Sequence, residues 1–393
     1  MLTLLIIIFV SYISMGLPDA LLGSAWPLMF RSLGTSEANA GIISMLISAS
    51  MIFACLNSDR VIKKLGTRLV AFVSVVVTGS SLWGISFAGS FTALCLLAVP
   101  LGLGGGSLDA GISNFVALYY KARHMNWLHC FWGVGASIGP VVMSYCLGRW
   151  NSWHAAYRTI GAIQLTFAAV LLISLPLWGR ARGGSENEKS DEQKTLGVRE
   201  FLRMPGAKPT LAAFYFYCAL ELTAGLWGST YFVFIRDIPP EIAARWISFF
   251  YIGITLSRFL SGFLTIRLSH DKIVGLGHVI IGAGLCAMMI FKSGVPLMAS
   301  LFLIGLGCGP IFPSMMHQTP DNFGREHSQS IVGVQMACAY VGSMTVPPIF
   351  GFLGARTSYG IFPFFLAVFL LVIVVMARLI RRSKIGLAEE AAE

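Results

Sequence analysis

The sequence predicts an all-α membrane protein with twelve transmembrane helices in two pseudo-symmetric six-helix bundles. Three observations carry that expectation. Charged residues make up only 12% of the 393 residues and hydrophobic ones 56%, whereas a soluble domain is about a quarter charged. Apolar runs of about 20 residues, enough to cross a bilayer, recur along the whole chain. The second half also repeats short patterns of the first at a near-constant distance.

The runs fall near residues 3–30, 39–57, 68–88, 91–119, 126–148, 155–178, 209–235, 243–266, 273–291, 295–317, 328–353 and 358–379, numbered here as spans 1 to 12. The first lacks a basic leader and a small-residue cleavage site and continues too far for a signal peptide, so it reads as a span. Gly179 to Lys208 is charged, carries Gly and Ser, and is poor in apolar residues. It reads as a flexible connector. The organisation expected is a bundle over 1–178, a cytoplasmic linker over 179–208, and a bundle with a short tail over 209–393. A short surface helix over Leu196 to Met204 is the alternative to a plain solvated linker, which is the preferred reading.

Orientation follows from the basic residues. With the N-terminus inside, 20 of the 28 Lys and Arg fall in cytoplasmic segments and seven on the other side. This bias places both ends in the cytoplasm and accounts for the net charge of +10 without a nucleic-acid partner. The repeat is visible in three helix pairs. Leu101 to Gly106 (LGLGGG) matches Ile304 to Gly309 (IGLGCG), Asp19 to Trp26 resembles Glu221 to Gly228, and GVGASIGPVV in span 5 resembles YVGSMTVPPI in span 11. Two parallel repeats of six helices form a transporter architecture with the substrate site between the halves.

Three carboxylates lie inside spans. Asp109 stands in Pro100 to Tyr120, where Gly102, Gly105 or Gly106, Asp109 and Ser113 share one small helical face. At 1.5 Å per residue, Asp19 lies in the outer half of span 1, Asp109 in the inner half of span 4 and Glu221 near the middle of span 7. Asp19 shares a face with Tyr12, Gly16, Gly23 and Trp26, and Glu221 with Tyr217, Gly225 and Gly228. Intramembrane acids normally face a bundle interior or a wet cavity and mark substrate or ion pathways. Asp19, Asp109 and Glu221 are therefore the proton-coupling candidates, and Pro18 should weaken the helix beside Asp19.

Arg258 is the one basic residue well inside a span, two turns from the cytoplasmic end of span 8. It is expected to snorkel there as a gate or structural residue, with Asp59 and Arg60 of the loop after span 2 as further gating candidates. With no deep cation, an organic phosphate or polycarboxylate would go unpaired, so a neutral polyhydroxyl solute or an organic cation fits better. Trp26, Asn114, Trp132, Tyr217, Trp227, Gln335 and Tyr340 are the substrate-binding candidates. Amides suit hydroxyls, and aromatic faces suit C–H surfaces. Further polar candidates are Asn126, His129, Gln164, His317 and Gln318, while Trp26, Trp150, Trp153 and Trp246 read as residues of the interfacial belt. Gly139-Pro140, Pro310, Pro313 and Pro347-Pro348 mark kinks.

The eight cysteines are scattered singly, with neither disulfide nor metal-ligand spacing. No nucleophile–base pair stands out, so no enzymatic activity, cofactor or metal is expected. The expected partners are a small sugar-like solute and the lipid bilayer, and the working unit is a monomer.

The twelve spans, the central linker and SDRVIKKLGTR (Ser58 to Arg68) resemble the major facilitator superfamily. In that motif Cys55 stands where a glycine is usual, and in the second copy, Gly262 to Lys272, Ile266 replaces the acid. More narrowly, GLPDALLGSAWP (Gly16 to Pro27), Asp109 followed by Asn114, and Glu221 with Trp227 resemble the fucose–proton symporter family and its sodium-dependent glucose transporter-like branch. That resemblance implies proton coupling and sugar binding by carboxylates in spans 1 and 4, here Asp19 and Asp109. The leading expectation is a proton-coupled sugar symporter of the inner membrane, with sodium as the alternative ion. A proton-driven exporter of drugs or organic cations is the competing reading, supported by VGASIGP (Val134 to Pro140).

Overall fold

The computed structural model describes residues 2–120, 122–181, 198–324 and 327–390. Among the described residues the regular structure is entirely helical. The helices are α1 (Leu2–Gly16), α2 (Leu21–Ser32), α3 (Ala40–Leu65), α4 (Thr67–Ile85), α5 (Phe91–Tyr119), α6 (Ala122–Trp150), α7 (Trp153–Ala181), α8 (Val198–Phe201) and α9 (Ala207–Arg236). They continue with α10 (Pro240–Leu264), α11 (His270–Ile290), α12 (Gly294–Cys308), α13 (Ile311–His317), α14 (Thr319–Phe323), α15 (Ser328–Arg356) and α16 (Phe362–Glu390). Among the described residues, twelve segments are long and apolar enough to cross a membrane, from Thr3–Ser32 to Tyr359–Ser383. The twelve spans read from hydropathy are the twelve spans of the fold.

Two spans are discontinuous. Span 1 breaks between α1 and α2, across Leu17 to Ala20, and span 10 breaks between α12 and α13 at Gly309-Pro310. Proline removes a backbone N–H and crowds the preceding turn, so both breaks sit where the sequence carries Pro18 and Pro310. Pro140 stays inside α6, and Pro347 and Pro348 stay inside α15, without interrupting either helix. Of the expected proline kinks, then, Pro310 alone coincides with a break.

The linker departs from the solvated reading at its C-terminal end. α8 is a short helix whose Phe201 is 1% exposed. Its ring meets Phe323 edge-on at 5.1 Å, in a small cluster with Ala207 and Ile331. Burial of this ring against α14 and α15 offsets part of the cost of ordering the short helix. Residues 182–197, and Lys121 and Arg325 from the charge count, lie outside the described residues.

The helix contacts show the repeat. In the first half spans 2 and 4, 3 and 4, 3 and 6, and 1 and 5 pack together. In the second half the pairs are 8 and 10, 9 and 10, 9 and 12, and 7 and 11, each six spans further on. The halves meet along two equivalent seams, span 5 on span 8 and span 2 on span 11, and through α2 on span 7.

On the side away from the linker these contacts form a seal. A Cβ on Gly23 would lie 2.6 Å from the Gly225 carbonyl oxygen, so spans 1 and 7 touch backbone to backbone. Phe30 meets Phe234 edge-on at 5.7 Å, with the Arg31 guanidinium over the same Phe234 ring. Directly below, Asp19 is exposed in mid-span while Ala20 to Trp26 are buried. A cleft between the halves therefore opens toward the linker side.

Candidate functional site

The break in span 1 places a carboxylate at the cleft. At Pro18 the regular ladder gives way to turn bonds, Asp19 N–H to the Gly16 carbonyl at 3.2 Å and Leu21 N–H to the Pro18 carbonyl at 3.0 Å. Span 5 lies against this turn because a Cβ on Gly16 would stand 2.1 Å from the Trp132 carbonyl oxygen. That close approach, available only to glycine, brings the Trp132 indole N–H within 2.5 Å of Asp19 Oδ2.

Trp132 then bridges the halves. Its ring meets Tyr251 of span 8 edge-on at 6.3 Å, and the Arg258 guanidinium lies over it at 5.2 Å from the centroid. Arg258 Nη2 reaches Glu221 Oε1 at 3.5 Å, with both side chains mostly buried, 13% and 18% exposed. The other carboxylate oxygen of Glu221 accepts a hydrogen bond from Tyr217. The Tyr217 hydroxyl also lies 2.8 Å from the carbonyl of Cys308, the last residue of α12. A continuous polar chain thus runs from Asp19 through Trp132 and Arg258 to Glu221 and Tyr217.

This overturns the snorkelling expectation for Arg258. The side chain does not reach the membrane end. A guanidinium at mid-depth is better satisfied by an aromatic face and a carboxylate than by a strained excursion along the helix. The premise that the cleft lacks a deep cation falls with it.

Asp109 belongs to a separate cluster. The Tyr12 hydroxyl donates to Asp109 Oδ1 at 2.7 Å and lies 2.6 Å from Ser113 Oγ. His129 meets the Tyr12 ring edge-on at 5.9 Å and is exposed to the cleft. Although Tyr12 and Asp19 share a face by helical spacing, the break turns them toward different helices. Gly102 and Gly106, on the face of Asp109, receive the backbone of span 2 at Ile47 and Met51.

Other candidates fall elsewhere. Trp26 and Trp227 are fully buried and donate to the carbonyls of Glu37 at 2.6 Å and Pro347 at 2.9 Å. These tryptophans pack the closed end and do not line the cleft. Of the four expected belt residues, Trp26, Trp153 and Trp246 are buried and Trp150 is exposed. Gln335 is buried, its Oε1 accepting from Thr319 at 2.9 Å. Gln164 is buried too, donating to the Ser14 carbonyl at 2.6 Å. Tyr340 reaches Cys55 across the seam of spans 2 and 11. Arg60 is exposed at the linker-side end of span 2. His317 stacks on His270 at 5.7 Å, and Gln318 is buried. The side chains of Asp59, Asn114 and Asn126 lie outside those described. Among the described residues no group of three or more His, Cys, Asp or Glu could hold a metal ion.

Sequence reasoning missed Tyr251. Its signal was present: Tyr251 stands seven residues before Arg258, two turns up the same helical face.

An exposed acid with a neutral donor and a mostly buried ion pair at the repeat interface offer charged and hydrogen-bonding groups to a small solute. Comparison with known proteins agrees with this architecture. A bacterial homolog of the human lysosomal transporter Spinster, solved in an inward-facing and occupied conformation, superposes with a TM-score of 0.76 at 12% identity, covering 97% of this chain and 96% of that one. In sequence, the chain is 23% identical over 316 residues to the glucose/mannose transporter GlcP of Bacillus subtilis, covering 77% of this chain and 76% of GlcP. It is 20% identical over 385 residues to Bypass of stop codon protein 6 of Saccharomyces cerevisiae, with coverage of 87% and 75%. A shorter match, 21% over 165 residues and 41% and 36% of the two chains, joins it to the 4-hydroxybenzoate transporter PcaK of Acinetobacter baylyi. The Major Facilitator Superfamily matches residues 4–244 and 235–392, and this multi-pass transporter chain belongs to that superfamily.

Proposed function

We propose that the chain is a proton-coupled symporter that imports a small sugar-like polar solute across the inner membrane by alternating access. The observation that carries this reading is Asp19. It is an acid at a helix break, open to the cleft and held by Trp132 at the seam where the halves must move. A proton on Asp19 removes the charge that attracts the indole N–H, so protonation changes a contact at the seam. Coupling requires that proton and solute favour the same state, and a titratable group at the moving seam meets that requirement. The sugar-like class draws support from the similarity to GlcP, and from an aromatic face at Trp132 beside polar groups. In this reading the linker side and both termini face the cytoplasm, which the charge bias of the sequence supports, and the working unit is a monomer of two bundles joined by 179–208.

The test is uptake of labelled hexoses into proteoliposomes under an inward proton gradient. The parent should accumulate substrate, and Asp19→Asn should lose accumulation by at least about tenfold while solute exchange survives. Accumulation unchanged in Asp19→Asn, or driven equally by a sodium gradient at constant pH, refutes the assignment of Asp19 as the proton site. Gradient-driven efflux of cationic dyes with no sugar uptake would establish the exporter instead.

A further inference from the structure

The Arg258 guanidinium is under-coordinated for a buried, permanently charged group. Its one acidic contact among the described residues is a single 3.5 Å approach from Nη2 to Glu221. Charge-assisted arginine–carboxylate pairs lie at about 2.7–2.9 Å and are commonly bidentate. Among the described residues Nε is buried and has no hydrogen-bond partner. Glu221 is not free to close the gap, because its other oxygen is held by Tyr217, itself anchored at the Cys308 carbonyl. The Arg258 guanidinium carbon lies over the Trp132 ring, 5.2 Å from its centroid. An arginine held over an aromatic ring, with an unpartnered Nε and one long ion pair, has donors to spare for a planar anion.

Resting on the transport reading above, we infer that the solute carries a carboxylate which Arg258 binds through Nε and an Nη: a sugar acid and not a neutral sugar. The hydroxylated body of such a solute lies toward Trp132 and Asp19. In this arrangement the solute replaces Glu221 as the main counter-ion of Arg258. The titratable groups around that exchange are Glu221, Tyr217 and Cys218 of span 7, Asp19 of span 1, His129 and Cys130 of span 5, Tyr251 of span 8 and Cys308 of span 10. The neutral sugar expected from sequence rested on the absence of a deep cation, and Arg258 supplies one.

The experiment is counterflow in proteoliposomes holding the full chain, with labelled glucose, mannose, gluconate, glucuronate and benzoate. It is paired with the shift in melting temperature that each solute produces in detergent. Gluconate or glucuronate should exchange and stabilise at concentrations at least tenfold below those of the hexoses. Arg258→Lys should weaken the acid about tenfold by losing the planar fork, and Arg258→Gln about a hundredfold. Because Arg258→Gln leaves Glu221 without its cation, which threatens folding, Glu221→Gln/Arg258→Gln removes both charges together. This double variant should stay folded, as its melting temperature without solute reports, and lose both the exchange of the acids and the stabilisation they give. Hexose exchange that none of the three acids inhibits overturns the inference, as does acid binding that survives in the double variant. Acid exchange without proton-driven accumulation would instead defeat the symport reading and leave the site standing.

Discussion

Replacing Gly23 by alanine should shift the transporter away from the state seen here. A Cβ at this position would lie 2.6 Å from the Gly225 carbonyl oxygen, 2.8 Å from that of Leu226 and 2.9 Å from the Leu226 Cα. Ordinary contact distances are about 3.5 Å or more, so the methyl overlaps three backbone atoms at once. Backbone cannot rotate aside as a side chain can, and spans 1 and 7 must separate. Overpacking of this kind costs about 1–3 kcal/mol. The penalty applies only while the far-side seal is closed, so it is a differential energy between states, equivalent to roughly a 5- to 150-fold change in their ratio. Spin labels on exposed Ser32 and Arg245, which flank the seal, would report it as growth of a longer-distance population. Gly105→Ala is the control, since nothing lies within 4 Å of where its Cβ would stand. A Gly23→Ala protein with parental melting temperature and an unchanged distance distribution would refute the idea that this contact closes the far side.

Two other substitutions separate the cleft from the packing around it. Trp132→Phe keeps an aromatic face under Arg258 and loses the 2.5 Å donation to Asp19. It should cost proton-driven uptake about 10- to 100-fold, in keeping with about 1.5–3 kcal/mol for a hydrogen bond to a charged group, with thermal stability near the parent's; uptake at the parental rate would mean that the Asp19 contact is idle. Trp227→Ala removes a fully buried ring stacked on Tyr359 at 5.5 Å. It should destabilise the protein by about 3–5 kcal/mol and leave the apparent affinity of the surviving fraction unchanged, a result that an affinity change would contradict.

The fold was legible because its determinants are one-dimensional. Hydropathy sets the spans, and the offset between Leu101–Gly106 and Ile304–Gly309 reports the repeat. The break at Asp19 could also be foreseen, since proline acts on its own helix. Partnership across helices could not. Helical spacing placed Trp26 on the face of Asp19, and the family resemblance paired Trp227 with Glu221, yet both indoles turn to backbone carbonyls in the seal. Spacing gives azimuth within one helix and is silent on which helix packs there. Arg258 escapes a one-helix reading for the same reason. Its distance from the helix end allowed snorkelling, and only the approach of spans 5 and 7 supplies the ring and the acid that hold it. Phe201 was lost in a charged linker because a single buried aromatic leaves no periodic trace.

The repeat makes the differences between the halves informative. Asp19 and Glu221 occupy matching places in spans 1 and 7, so a symmetric ancestor would have given them equal surroundings. Here Asp19 is solvent-open and touches a neutral donor, whereas Glu221 is enclosed and faces a permanent cation. The two seams diverge in the same way: Trp132 and Arg258 meet between spans 5 and 8, and Cys55 and Tyr340 meet between spans 2 and 11. Among the described residues Asp19 has no fixed cation beside it, whereas Glu221 is already engaged by Arg258 and Tyr217. On the proposed function this asymmetry assigns the proton to Asp19 in the first half and the solute's anchor to Arg258 in the second. Because Trp132 contacts both groups, displacement of either disturbs the same ring. On that reading one indole at the seam links the two occupancies, and Trp132→Phe tests the link.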